Sequence, residues 1–189
     1  MRLTFLGTSA GTPTRDRNVS GVGLSLEREW FLFDCGEGTQ HRILTTSLSL
    51  SRLRRIFISH LHGDHCFGLF GLLGSRSLAG VATPLDLYGP EGLEEMVRRT
   101  LQLSGGGLND AIRFHTIDEA GGAVHEDETL KIRAVPADHR GVCFSWWLRE
   151  ARRPGPLNVD RALELGVPSG PLLGRLKAGE SITLENGQV

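Results

Sequence analysis

The chain is nearly without lysine. Lys131 and Lys177 are the only two, and every other cationic side chain is arginine. Arginine forks suit phosphate, and a base-composition bias in the genome produces the same pattern, so both readings stay open. Cysteine is scarce as well. Cys35, Cys66 and Cys143 are odd in number and form no C-x-x-C pair. That excludes a disulfide framework and fits thiols kept reduced as small buried residues. No apolar run approaches the ~20 residues of a membrane span. The opening "MRLTFLGTSAG" has too short an apolar stretch for a secretory signal. A formal net charge of -1 excludes a global basic field of the kind that gathers nucleic acid. A cytoplasmic location is expected.

What is present suits one domain, or one domain with an appendage: 189 residues, 39% hydrophobic and 23% charged. "RLTFLG", "VGLSLE", "WFLFD", "RRIFIS", "PLDLYGP", "IRFHTI", "LKIRAVPA" and "VCFSWWLRE" read as strands. "TQHRILTTSL" predicts a helix capped by Thr39, and Phe67 to Ala79 a glycine-rich one. "PEGLEEMVRRTLQL" predicts a third, with Pro90 at its first position. Strands and helices interleave, but hairpin-like pairs also occur, which points to a mixed α/β layered domain. From Ala151 the texture changes. This tail holds four of the eight prolines and shows one short helix candidate, "VDRALELG".

The chemistry concentrates in "FISHLHGDHCFG", Phe57 to Gly68. His60, His62, Asp64 and His65 follow a buried-type strand directly. In an extended segment, positions 60 and 62 put both rings on one side. Gly63 then lets the backbone turn, so one loop can present ligands toward two neighbouring points. Imidazole with carboxylate suits zinc and similar divalent ions. Two such ions ~3.5–4 Å apart can clamp a phosphoryl or acyl centre and lower the pKa of water. One loop cannot close two coordination shells, and His139 in "AVPADHRG" lies just past a strand, where a partner ligand would be recruited. His41, His115 and His125 lack acidic companions in their surroundings and read as structural or exposed.

These blocks resemble the ribonuclease Z family of the metallo-β-lactamase superfamily. "FLGTSAGTPTRDRNVSG" and "WFLFDCGEGTQHRIL", a strand ending in Asp34, resemble that family's first two blocks. "IFISHLHGDHCFGLFGLLGSRSLAG" resembles its metal block, and "LDLYGPEGLEEMV" the strand and helix after it. "RRPGPLNVDRALELGVPSGPLLGRLKAGE" resembles the arm with which family members grip tRNA. The resemblance implies an αββα sandwich, of which this chain would be the N-terminal portion, with a protruding Gly/Pro-rich arm. It implies a core over 1–150, a flexible arm over 151–180 and the start of a return strand over 181–189.

It also implies residue roles. His60, His62 and His139 would hold one zinc; Asp64 and His65 would belong to a second, and Asp64 would be the proton acceptor. Arm residues Pro154, Gly155, Gly170, Pro171 and Lys177 would contact RNA. Two departures stand out. "FSWWLRE" replaces the family's Gly-Tyr-Arg stretch, and no histidine follows His139, so the second zinc site is incomplete. The chain is therefore expected to be a fragment of a longer enzyme or a truncated relative. The implied activity is zinc-dependent removal of the 3′ trailer from precursor tRNA, leaving a 3′-hydroxyl. A homodimer away from any membrane is the expected assembly. The alternatives are a hydrolase of a small ester or phosphodiester, and a non-catalytic RNA-binding or dimer partner.

Overall fold

A computed structural model describes residues 1–106, 111–151 and 155–184 of the chain. The chain divides into two compact units, Met1–Glu150 and Ala151–Val189.

Among its described residues the first unit holds two sheets. Strands β1 (Arg2–Gly7), β2 (Gly21–Ser25), β3 (Trp30–Phe33), β4 (Leu53–Phe57), β5 (Leu85–Gly89) and β6 (Ile112–Thr116) lie side by side in chain order. The β1–β2–β3 part is an antiparallel meander. From β3 onward the pairing is parallel, so each connection must cross over, and helices do so. These are α1 (Thr39–Leu44), the short α2 (Gly63–Cys66) with α3 (Gly68–Leu78), and α4 (Leu93–Leu103). The second sheet is an antiparallel β7–β8–β9 meander: Gly122–Glu126, Leu130–Pro136 and Phe144–Glu150.

Strand β3 shows how the sequence makes layers. All four residues of "WFLF" are buried, which a strand manages only when both its faces are covered. Trp30 and Leu32 pack into a core with Ile43, Leu69, Leu72 and Val97 of the helices. Phe31 and Phe33 point the other way, into a core shared with Leu130 and Ile132 of the second sheet. Burying such side chains is worth about 1.5–3 kcal/mol each. The order of layers is thus helices, sheet, sheet.

Several local expectations change. The N-cap of α1 is Gly38, in the left-handed region at φ 74°; Thr39 instead turns its hydroxyl to the Gly36 carbonyl (2.7 Å). Helix α4 starts at Leu93 rather than Pro90, because Gly92, at φ 87°, makes the turn that admits it. Strand β7 was hidden in sequence by its opening glycine and its short span.

Among its described residues the second unit has two helices where one was expected: α5 (Val159–Glu164) and α6 (Pro171–Lys177). The Asn158 side chain caps α5 by accepting from the Arg161 backbone N–H (2.9 Å). Ala162, Val167 and Ile182 are buried together, with Leu172, Leu173, Leu176 and Leu184 against them. Of the five arm residues, Gly155 is exposed, Gly170 precedes α6, and Pro171 and Lys177 are its ends; Pro154 lies outside the described residues. Residues 181–184 are not in a strand, and 185–189 lie outside the described residues.

Candidate metal centre

The site forms where the parallel strands end. Past β4 the chain runs through Ser59 and His60 into the ligand-rich loop. Past β3 it passes Asp34, whose backbone takes φ 55°, a region that aspartate tolerates better than most residues. The Asp34 N–H donates to the Phe57 carbonyl (2.8 Å), the Cys35 N–H to that of His65 (2.7 Å), and the Gly68 N–H to that of Cys35 (2.8 Å). Two chain segments are thereby laced together at backbone distance. A Cβ at Gly36 would collide with the Asp64 carbonyl, and one at Gly68 with the Gly36 carbonyl. Glycine is required here because the backbones approach so closely.

His139 arrives from the other sheet. The loop between β8 and β9 is closed by the Ala137 N–H on the Cys143 carbonyl (2.9 Å). The Phe144 N–H then donates to the Ser59 carbonyl (3.0 Å), fastening the start of β9 to the residue before His60. His139 Nε2 ends 3.1 Å from His62 Nδ1. The ring centroids are 4.6 Å apart for His60 and His139, and 4.7 Å for His60 and His62. One nitrogen of each of these three histidines lies within 4.8 Å of the others.

This donor set fits a divalent cation. Imidazoles gathered this closely resist joint protonation, because their positive charges would repel one another. His60 is buried, and burial first, then the charges of His65 and His139, push its pKa down to about 4. At neutral pH it keeps a lone pair for a Lewis acid, the form in which imidazole binds zinc.

Asp64 and His65 are held differently. His65 Nδ1–H donates to Asp34 Oδ2 (2.7 Å), which leaves Nε2 as the free ligand atom, 3.4 Å from Asp64 Oδ2. Asp34 is itself pinned by the Ser59 N–H (2.8 Å) and the Ser20 hydroxyl (3.2 Å). Asp64 accepts the Gly11 N–H (2.8 Å), so the loop after β1 is also tied to the site. Asp64 caps neither α2 nor α3. Burial opposes the ionised form of Asp64, but the Gly11 hydrogen bond and the neighbouring His65 and His60 outweigh it, and its carboxyl lies below the ordinary value. Burial likewise opposes protonation of His65, and the hydrogen bond and charge of Asp34, with Asp64, outweigh it and raise its pKa.

Asp34 is the residue whose role sequence reasoning missed. Its signal was there, as the acid ending a strand, but its task appears only when β3 and β4 pair. Two of the three histidines read as lacking acidic companions have them. His115 Nε2 lies 2.8 Å from Asp86, and His125 Nε2 2.9 Å from Asp127.

Helix-sheet-sheet layers with ligands at the strand ends define the metallo-β-lactamase fold. The fold is shared with the metallo-β-lactamase fold protein YhfI from Bacillus subtilis, at TM-score 0.62 and 18% identity over 78% of this chain and 58% of that one. Residues 1–142 match the profile of the family described as Anti-Pycsar protein Apyc1, and the chain belongs to that family. Curated relatives that it resembles include proteins named ribonuclease Z. That of Acaryochloris marina is 49% identical across all of this chain and 60% of its own length. The crystal structure of the human short-form tRNase Z, ELAC1, superposes at TM-score 0.73 with 38% identity, covering 79% of this chain and 64% of that one. The chain thus spans about 60% of the length of the curated relatives it matches.

Proposed function

We propose that the whole protein is a zinc-dependent endoribonuclease that removes the 3′ trailer of precursor tRNA. The observation that carries this is the convergence of His60, His62 and His139 beside an Asp34-oriented His65, in a chain all of whose residues align with 60% of a ribonuclease Z. His60, His62 and His139 would hold one ion, and Asp64 with His65 would contribute to a second. Bound zinc supplies a Lewis acid for a phosphoryl oxygen and lowers the pKa of water.

The chain's own residues do the rest. Asp34 fixes the His65 tautomer so that Nε2 faces Asp64. Asp64, kept ionised at neutral pH by its N–H donor and imidazole neighbours, is the proton acceptor, and a positioned base contributes about 10²–10⁴-fold. The arm over 151–180 would grip tRNA through backbone contacts, which give affinity rather than sequence reading. A homodimer in the cytoplasm is the working assembly; no described helix is long and apolar enough to cross a membrane.

A second reading, hydrolysis of a small ester or phosphodiester, is favoured by one fact: the matching family profile ends at residue 142, before the arm. The ribonuclease Z likeness continues through the arm, which supports the RNA reading. The test is zinc analysis beside cleavage of precursor tRNA. The 189-residue chain should bind about one zinc or less, and a version of ribonuclease Z length should cut at the trailer junction. Cleavage of small phosphodiesters but not of precursor tRNA would favour the second reading. Zinc-independent RNA binding without cleavage would leave a non-catalytic partner.

A further inference from the structure

A cavity of about 260 Å³ opens beside the metal centre, lined by His60 and His62, by Pro90 and Glu91 after β5, and by Arg140 and Val142 of the β8–β9 loop. Among the described residues Arg140 makes no ion pair and no hydrogen bond. Its neighbour Gly141 stands at φ 83°, and a Cβ there would meet nothing, so the glycine serves the turn rather than packing. That turn presents His139 to the metal cluster and Arg140 to the cavity beside it.

We infer that Arg140 is a substrate-contacting residue: its guanidinium holds one phosphate of the substrate in this cavity, next to the centre where the phosphodiester is cut. The inference deepens the reading given above and rests on it to the extent that the substrate carries a phosphodiester. Three features converge. The cavity shares two walls with the candidate metal ligands, so whatever fills it lies against the reacting group. The unpaired arginine offers a planar fork that matches phosphate in two hydrogen bonds, which a lysine cannot copy. The space is smaller than the about 300–1,000 Å³ of pockets that enclose drug-sized ligands, so it admits a sugar-phosphate unit rather than a longer segment. Glu91 lines the same cavity from the β5 side, and its carboxylate disfavours a second phosphate. The cavity therefore takes one.

The experiment titrates adenosine 5′-monophosphate and adenosine into the zinc-loaded chain by calorimetry, with Arg140→Ala and Arg140→Lys alongside and zinc content measured for each. Arg140→Ala should weaken binding of the monophosphate at least ~10-fold and leave adenosine unchanged, while Arg140→Lys should fall between. Zinc content should not move. Equal monophosphate affinity in Arg140→Ala overturns the inference. So does a parallel loss for adenosine, or a loss of zinc, since either assigns Arg140 to the framework. An unaltered chain that binds the monophosphate no better than adenosine overturns it too. The RNA reading fails separately: if a full-length version does not cut precursor tRNA while monophosphate binding still depends on Arg140, the inference stands and that reading falls.

Discussion

Two aspartate–histidine couples in the first unit have nearly the same dimensions and opposite meanings. In the site, His65 Nδ1 meets Asp34 at 2.7 Å. At the hairpin between β7 and β8, His125 Nε2 meets Asp127 at 2.9 Å. Asp127 also accepts the Thr129 and Leu130 N–H groups and the Thr129 hydroxyl, so every bond there closes the turn. His125 sets its other side edge-on against Phe31 of the core. Asp34 orients an imidazole whose remaining nitrogen faces a further carboxylate and whose ring lies 4.1 Å, centroid to centroid, from His60. A carboxylate–imidazole pair therefore does not mark a site by itself. The mark is a ring left with a free nitrogen aimed at other ligands.

The largest expected effect breaks the site couple at its outer end. Asp64→Asn keeps shape and an oxygen donor but not basicity. In a version of ribonuclease Z length it should retain most of its zinc and lose at least ~10²-fold in precursor-tRNA cleavage. Near-normal cleavage would remove Asp64 from the mechanism. Next comes the inner end. Asp34→Asn leaves an amide that can accept from Ser59 but no longer anchors His65 by charge. Partners that orient metal ligands typically matter by about 10–100-fold in affinity or activity. The zinc dissociation constant and the cleavage rate should both shift by that order; unchanged values would make Asp34 only a strand terminator.

A third change tests the lacing beneath both. Gly36→Ala forces a methyl onto the Asp64 carbonyl. Overpacking of this kind costs about 1–3 kcal/mol, and the strain lies on the ligand loop itself. Urea denaturation should show the loss. A variant as stable as the parent would mean that the loops can part without cost.

These contrasts also show what could be read without coordinates. The H-x-H-x-D-H run announces itself because all its members lie on one loop after one strand. The strands were legible where apolar residues ran unbroken, as in "WFLF", and obscure where a glycine opened the segment, as in β7. Helix α6 was hidden by Pro171 and Gly174, although proline suits a first helical turn. Asp34 with His65, and Asp86 with His115, are 31 and 29 residues apart. Such couples exist only through strand pairing, and no local pattern reports them. His125 and Asp127 were two residues apart and still passed unread, because their meeting needs the turn that Asp127 itself closes.

The smallest expected effect concerns that turn, and its pH dependence separates it from the site. Burial opposes ionisation of Asp127, but the Thr129 and Leu130 donors, with His125, outweigh it and hold its carboxyl well below the usual range. A depressed folded value means that the unfolded chain takes up the proton first as pH falls. The stabilisation is then complete above the ordinary carboxylate value of about 3.9 and is lost as pH drops below it. Asp127→Asn keeps the oxygen that accepts from Thr129 and Leu130 and removes only the charge. Charged acceptors add to a hydrogen bond, but this side chain is 39% exposed and water screens it. The net loss at neutral pH should therefore be about 1 kcal/mol or less. Measured by urea denaturation, the gap between parent and variant should be constant from pH 7 to about pH 5 and should close toward pH 3. Zinc content and cleavage at pH 7 should not change, since nothing at the hairpin touches the ligands. A gap that widened on acidification would mean that the Asp127 charge destabilises the folded turn. A loss of zinc would mean that the two couples are linked, and the distinction between a couple that closes a turn and one that aims a ligand would fail.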